Sequence, residues 1–163
     1  MILIHATSVV LGAAARPFGG PEDQAVLLLG RSGSGKSDVA LRLIALGARL
    51  VSDDQTVLDV EAGRLFAAAP APIAGLIELR GVGVIRLDAA GRAPVVLAVS
   101  LQPDALVARL PAPERFFHAG LPPFDAPPIV TLEPFAASTP AKIAAAASAA
   151  ARGGFVAGVA PSE

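Results

Sequence analysis

Apolar residues in this chain fall into short runs cut by glycine, proline and acidic pairs, the pattern of many short strands around few helices. Residues 2–11 and 25–29 read as strands, and the connector 16–24 (R-P-F-G-G-P-E-D-Q) between them as an exposed hairpin tip. Helical spacing then runs from Ser37 to Leu46, with Val39, Ala40, Leu43, Ile44 and Leu46 expected against the sheet and Gly47 ending the helix. Residues 48–52 form a strand that stops at Asp53-Asp54, and strands 56–60 and 64–68 flank a hairpin turn at Glu61-Ala62-Gly63. After a Pro/Ala loop come 76–79, 80–85 and a longer strand at 94–101. Residues 103–128 are proline-rich and carry no clear period, and 129–132 reads as the last strand. Thr139 as N-cap and Pro140 as first helical residue open an alanine-rich helix to about Arg152, with the tail from Phe155 expected to fray.

These elements predict a single α/β domain over residues 1–163, with a mixed, hairpin-rich sheet and two helices. Strands dominate after residue 54, whereas most α/β chains alternate strand and helix throughout.

Composition changes the picture mainly by exclusion. A net charge of −1 offers no basic field for nucleic acid. The absence of cysteine removes disulfides, thiolate catalysis and Cys-based zinc sites. Mean hydropathy is high at +0.61, yet no run approaches the roughly 20 apolar residues of a membrane span. The N-terminal residues lack the basic start of a signal peptide. A cytoplasmic protein is expected, with some apolar surface covered in a homo-oligomer.

The candidate chemistry begins at Gly30-Arg31-Ser32-Gly33-Ser34-Gly35-Lys36-Ser37, a complete G-x-x-x-x-G-K-S phosphate loop between a buried-strand pattern and a helix. Its amides and the helix N-terminus suit polyphosphate, Lys36 suits the outer phosphates, and the Ser37 hydroxyl suits Mg²⁺. ATP with Mg²⁺ is the expected ligand pair; the plainer reading is a glycine-rich turn. Kinases, ATPases and GTPases share the motif, so it does not select a reaction.

Asp53-Asp54 ends the strand after the phosphate-loop helix. One carboxylate there can accept the proton of an attacking hydroxyl while the other faces the metal or Lys36, or the pair can merely cap a turn. Glu78 interrupts aliphatic residues just before Arg80-Gly81-Val82-Gly83, where glycines permit close backbone approach; exposure to solvent is its plainer role. His5 lies in the first strand and is by itself more often structural. His118 beside Phe116-Phe117 reads as packing or surface, and Arg115 as either a phosphate contact or a solvated charge.

Together these pieces resemble the catalytic domain of HPr kinase/phosphorylase. The resemblance rests on a histidine upstream of the loop (His5), Leu28-Leu29-Gly30 through Ser37, Gly47-Ala48-Arg49-Leu50-Val51-Ser52-Asp53-Asp54, and Ile77-Glu78-Leu79-Arg80-Gly81-Val82-Gly83-Val84, which is similar to the family's E-[IV]-R-G-x-G. It covers most of residues 1–85 and fades afterwards. It implies an ATP- and Mg²⁺-dependent serine kinase acting on the phosphocarrier HPr of a bacterial phosphotransferase system, a phosphate-loop core like that of phosphoenolpyruvate carboxykinase, and a hexamer. By that carry-over Asp53 takes the seryl proton, His5 assists it, Lys36 holds the transferred group, Ser37 and Glu78 bind Mg²⁺, and Arg115 is a downstream catalytic arginine; the pairing of the aspartates leaves Asp54 as the further metal-side carboxylate. It also implies a short form without the family's separate N-terminal domain. Residues 16–23 are extra, Asp38 stands where the family usually has Glu, and Ala137–Ile143 replace a P-V-R-P-G-R-N-like segment tied to phosphorolysis. Two other functions fit the motif. One is a nucleotide-gated module that signals to a partner such as a sensor kinase; the other is a small-molecule kinase, for which no arginine-rich lid is found.

Overall fold

A computed structural model describes residues 1–155. Its strands are β1 (Ile2–Val10), β2 (Ala25–Leu29), β3 (Arg49–Ser52), β4 (Gln55–Glu61), β5 (Arg64–Ala68), β6 (Leu76–Leu79), β7 (Gly83–Arg86), β8 (Ala93–Leu101), β9 (Glu114–Arg115) and β10 (Pro128–Leu132), with helices α1 (Lys36–Ala45) and α2 (Thr139–Ala151).

β2 occupies the centre. It pairs antiparallel with β1 and parallel with β8, and β8 pairs parallel with β10. The long strands β1 and β8 each serve two sheets: the first half of β1 pairs with β4, β4 with β5, and β5 with the start of β8. The pairings β1–β2–β8–β5–β4–β1 therefore close on themselves. β6 and β7 form a separate hairpin. This is the mixed, hairpin-rich sheet expected from the sequence.

Burial follows from that arrangement. Ala25 to Leu28 are all 0% exposed, since β2 has a strand on each side and a packed layer on each face. In β4 and β5, by contrast, Leu58, Leu65 and Ala67 point inward and their neighbours do not, the period of a sheet wet on one face. One core lies between the sheet and the helices, built on Val26, Leu28, Val39, Leu43, Leu97 and Ile143. A second fills the space enclosed by the curled strands, with Leu27, Leu58, Leu65 and Phe116.

Three expectations need correction. Residues 12–18 form a 3₁₀ helix, and Ser148 of α2 donates to the Phe18 carbonyl at 2.7 Å, so the connector, though exposed from Arg16 to Gly19 as expected, begins as a helical turn fastened to α2 and not as a hairpin tip. Leu46 lies beyond the end of α1 and is 56% exposed, because the chain already turns there toward Gly47. Thr139 does not cap α2: Ser138 holds that position, and the Thr139 hydroxyl donates to the Glu133 carbonyl instead. The expected frayed tail lies outside the described residues, apart from Phe155. Among the described residues no helix is long and apolar enough to cross a membrane.

Candidate active site

The phosphate loop leaves the C-terminal end of β2 and enters α1, where the carboxyl ends of the parallel strands β2, β8 and β10 meet. Open α/β sheets bind ligands at such edges. Gly35 takes φ +95° to turn the chain into the helix, and a Cβ at Gly30 would stand 2.3 Å from the Ser34 hydroxyl, so this turn excludes larger residues. Among the described residues the Ser34 hydroxyl is buried without a partner. An orphaned donor in a loop of inward amides fits a polyanion oxygen.

Lys36 is only 5% exposed, yet its ammonium is well placed. It lies 2.9 Å from His5 Nε2 and donates to the carbonyls of Gly30 at 3.1 Å and Arg31 at 3.0 Å. Burial lowers its pKa from the usual lysine value, and the charges of Asp54 and Asp53 oppose the shift. On the far side of the imidazole, Nδ1 is 3.3 Å from Asp54 Oδ1. With Lys36 donating to Nε2, the ring proton belongs on Nδ1, facing that carboxylate.

The two aspartates sit in the turn between β3 and β4, not in the strand. Asp54 adopts φ +63°, a conformation costly to most residues but open to aspartate, and this swings the two carboxylates apart. Asp53 is buried and held on three sides. Its Oδ1 accepts from the Ser37 hydroxyl at 2.7 Å and the Thr7 hydroxyl at 3.1 Å, while Oδ2 accepts the Glu78 backbone N–H at 3.0 Å. Thr7 also accepts the Asp54 N–H at 3.1 Å, so a single buried hydroxyl fixes both members of the pair.

Thus Lys36, Ser37, His5, Asp53, Asp54 and the Glu78 backbone converge on the mouth of the loop, four separated stretches of chain meeting at one place. His5 touches Lys36 and Asp54, not Asp53 as the resemblance implied. Asp54 lies on the histidine side, and Asp53 rather than Asp54 contacts Ser37. Arg115 is not brought to this cluster. It pairs with Pro128 at the start of β10, the end opposite Leu132, and is engaged by the Ala126 carbonyl and Asp125. His118 is exposed, accepting the Gly120 N–H, in line with a surface role.

Thr7 was missed, although its signal is present: His5 and Thr7 are two apart on one strand and so share a face. Arg42 was missed as well. From α1 it donates to the carbonyls of Pro134 and Ala136, fastening the β10–α2 loop beside the phosphate loop.

The residues present fit Mg²⁺ only in combination with a phosphate ligand. Among the described residues no group of three or more His, Asp or Glu forms a ready metal cage. What is available is a hydroxyl (Ser37) backed by a carboxylate (Asp53), with Glu78 on the adjoining strand. Magnesium is commonly held by one or two carboxylates plus substrate phosphates.

The chain is similar to several known proteins. Residues 22–95 match the family model for the HPr serine kinase C-terminal domain. HPr kinase/phosphorylase of Brevibacillus brevis is 46% identical over 63 residues, 38% of this chain and 20% of the relative. The Clostridium tetani protein of the same name is 43% identical over 60 residues, 37% and 20% of the two chains. The match therefore spans about a fifth of these curated relatives' length. The solved structure of the Hpr(Ser) kinase/phosphatase from Coxiella burnetii superposes with a TM-score of 0.69 at 25% identity, over 88% of this chain and 87% of that one. The stretch from residue 22 to 95, which carries the phosphate loop, the aspartate pair and Glu78, is thus similar to the HPr serine kinase C-terminal domain, and the chain as a whole shares the fold of a solved kinase/phosphatase of that kind.

Proposed function

We propose that this chain is a serine protein kinase that moves the γ-phosphoryl group of ATP, with Mg²⁺, onto a seryl hydroxyl of an HPr-type phosphocarrier in a bacterial phosphotransferase system. The observation that carries this reading is the hydrogen-bonded joining of Lys36, Ser37, Asp53, Asp54 and His5 at the mouth of the loop. Phosphoryl transfer asks the protein mainly for positioning and charge stabilisation, and this set supplies both.

The loop amides and the Lys36 ammonium bind the phosphate oxygens. Mg²⁺ would be held by Ser37 with Asp53 and Glu78 close by, and would neutralise charge developing on the leaving oxygens. Asp53 Oδ2 keeps a lone pair beyond its bond to the Glu78 N–H, and accepts the seryl proton as the serine oxygen attacks phosphorus and the bond to the bridging oxygen breaks. His5 and Asp54 hold the ammonium at the loop mouth. In the reverse direction Asp53 returns the proton. Residues 139–143, part of the segment that departs from the family pattern, lie in the first turns of α2 here, and the forward reaction is the better supported.

The same reading places the protein in the cytoplasm as a homo-oligomer, a hexamer by resemblance. Leu106, Leu110 and Phe117 are between 66% and 80% exposed on the proline-rich segment, apolar surface that association would cover. The test is incubation with ATP, Mg²⁺ and purified HPr followed by intact mass. A gain of one phosphate on an HPr serine is expected. ATP binding without a phosphoprotein, accompanied by altered affinity for a partner, would replace this reading with the nucleotide-gated module.

A further inference from the structure

Beside the phosphate loop, away from the Asp53 cluster, lies an open cavity of about 810 Å³. Its walls come from three loops that follow the parallel strands: Arg31 to Ser34 after β2, Gln102 to Asp104 after β8, and Glu133 to Ala136 after β10. The volume lies within the range usual for small-molecule sites. Of its walls, only the phosphate loop serves the phosphoryl transfer described above.

The lining carries two kinds of chemistry. The phosphate loop brings its amides, the Ser34 hydroxyl and Arg31, and the loops after β8 and β10 bring Asp104, Glu133 and Phe135. A polyanion is drawn to the first set and repelled by the carboxylates of the second. Carboxylates accept hydrogen bonds from neutral hydroxyls, and an exposed aromatic face receives a flat heterocycle. Phe135 is 64% exposed, a large apolar cost beside a polar loop, and its ring tip rests so close to Gly35 that a Cβ there would lie 3.0 Å away. Glu133 spends Oε1 on the Phe135 N–H at 2.9 Å, which leaves Oε2 for a ligand.

This wall is also held in place. Arg42 binds the carbonyls of Pro134 and Ala136, and Thr139 binds that of Glu133. Backbone fixed from two sides is what a preformed site requires.

We infer that this cavity takes the nucleoside half of the nucleotide, with the base stacked on Phe135 and the ribose hydroxyls received by Glu133. The inference rests on the phosphate-loop reading and extends it: the Glu133 carboxylate selects a sugar bearing free hydroxyls, so ribonucleotides are bound in preference to those lacking both.

The test is calorimetry with Mg²⁺ and three probes, ATP, 2′,3′-dideoxy-ATP and inorganic tripolyphosphate, on the full chain and on Phe135→Ala and Glu133→Gln. Base–aromatic stacking is worth about 1–3 kcal/mol, so Phe135→Ala should weaken ATP roughly 5- to 150-fold and leave tripolyphosphate unchanged. Glu133→Gln should weaken ATP roughly 10-fold, in line with a charge-assisted hydrogen bond, and should no longer distinguish ATP from its dideoxy analogue. If neither variant alters ATP affinity, the nucleoside lies elsewhere and the inference fails. Equal losses for ATP and tripolyphosphate would overturn it too, since the residues would then act only through the shape of the loop. Failure of the unaltered chain to bind either probe would instead sink the phosphate-loop reading beneath it.

Discussion

Lys36 and His5 stand 2.9 Å apart, ammonium against imidazole Nε2, at a point where the lysine is nearly sealed from water. That burial lowers the lysine pKa, and the nearby carboxylates of Asp54 and Asp53 only partly restore it. A bound triphosphate favours the charged ammonium, so binding raises the Lys36 pKa and takes up a proton once the pH exceeds its free-state value. ATP affinity should be complete below that free-state value and fall as pH rises through it. The alkaline limb should therefore begin below the roughly 10.4 at which ordinary lysines titrate. Calorimetry in buffers of different ionisation enthalpy measures the proton uptake directly. Lys36→Met should abolish the limb along with most of the affinity, and an unchanged alkaline profile in that variant would show that another group titrates.

Asp53 and Asp54 are adjacent in sequence but separated in role. Asp53→Asn nearly keeps the side-chain volume and, through its one carbonyl oxygen, the bonds from Ser37 and Thr7, while the acceptor for the Glu78 N–H and for the seryl proton is lost, so turnover should fall by about 10²- to 10⁴-fold with ATP affinity changed far less. Asp54→Asn loosens His5 and through it Lys36, and should show first in nucleotide binding. Paired measurements of kcat and ATP affinity on the two variants decide the assignment. The reverse pattern would make Asp54 the base.

Thr7 is 0% exposed and bonds to both halves of that pair, donating to Asp53 and accepting from Asp54. Thr7→Val removes the hydroxyl at almost constant volume and leaves two buried partners short of a bond. A loss of about 1–3 kcal/mol in stability is expected, readable by urea unfolding. Thr7→Ser should restore most of it. If activity falls in the valine variant and returns with serine while KM for HPr stays constant, Thr7 positions the aspartates rather than the protein substrate.

Much of this was legible in the chain. The phosphate loop is local, with its preceding strand, its glycines and its helix all within residues 25–45, so local pattern suffices. The short strands after residue 54 announced the hairpin-rich sheet in the same way. What sequence could not supply was non-local. That His5 would reach Lys36 and Asp54 rather than Asp53 depends on the register of β1 against β2 and β4, and on the left-handed turn at Asp54. Leu46 has the helical period of a buried residue, but the helix stops one residue too soon. Arg115 fell at a plausible distance along the chain, yet β9 pairs with the far end of β10, and chain distance says nothing of which end of a strand a segment meets.

Arg42 carries the last prediction, because it ties α1 to the β10–α2 loop that walls the cavity beside the phosphate loop. It pairs with Asp38 one turn earlier and donates to the carbonyls of Pro134 and Ala136. The ion pair to Asp38 is only partly shielded from water and contributes little. The bonds to the loop carbonyls join segments more than 90 residues apart, and their loss frees a wall of the cavity. Arg42→Lys cannot span two carbonyls with one fixed fork, so it should behave more like Arg42→Ala than like the unaltered protein. Both variants should weaken ATP several-fold and raise amide exchange at Phe135, Ala136 and Thr139, with tripolyphosphate affinity preserved. Unchanged exchange in this loop would mean that packing alone, through Pro134 and Phe135 against Gly35, holds the wall in place.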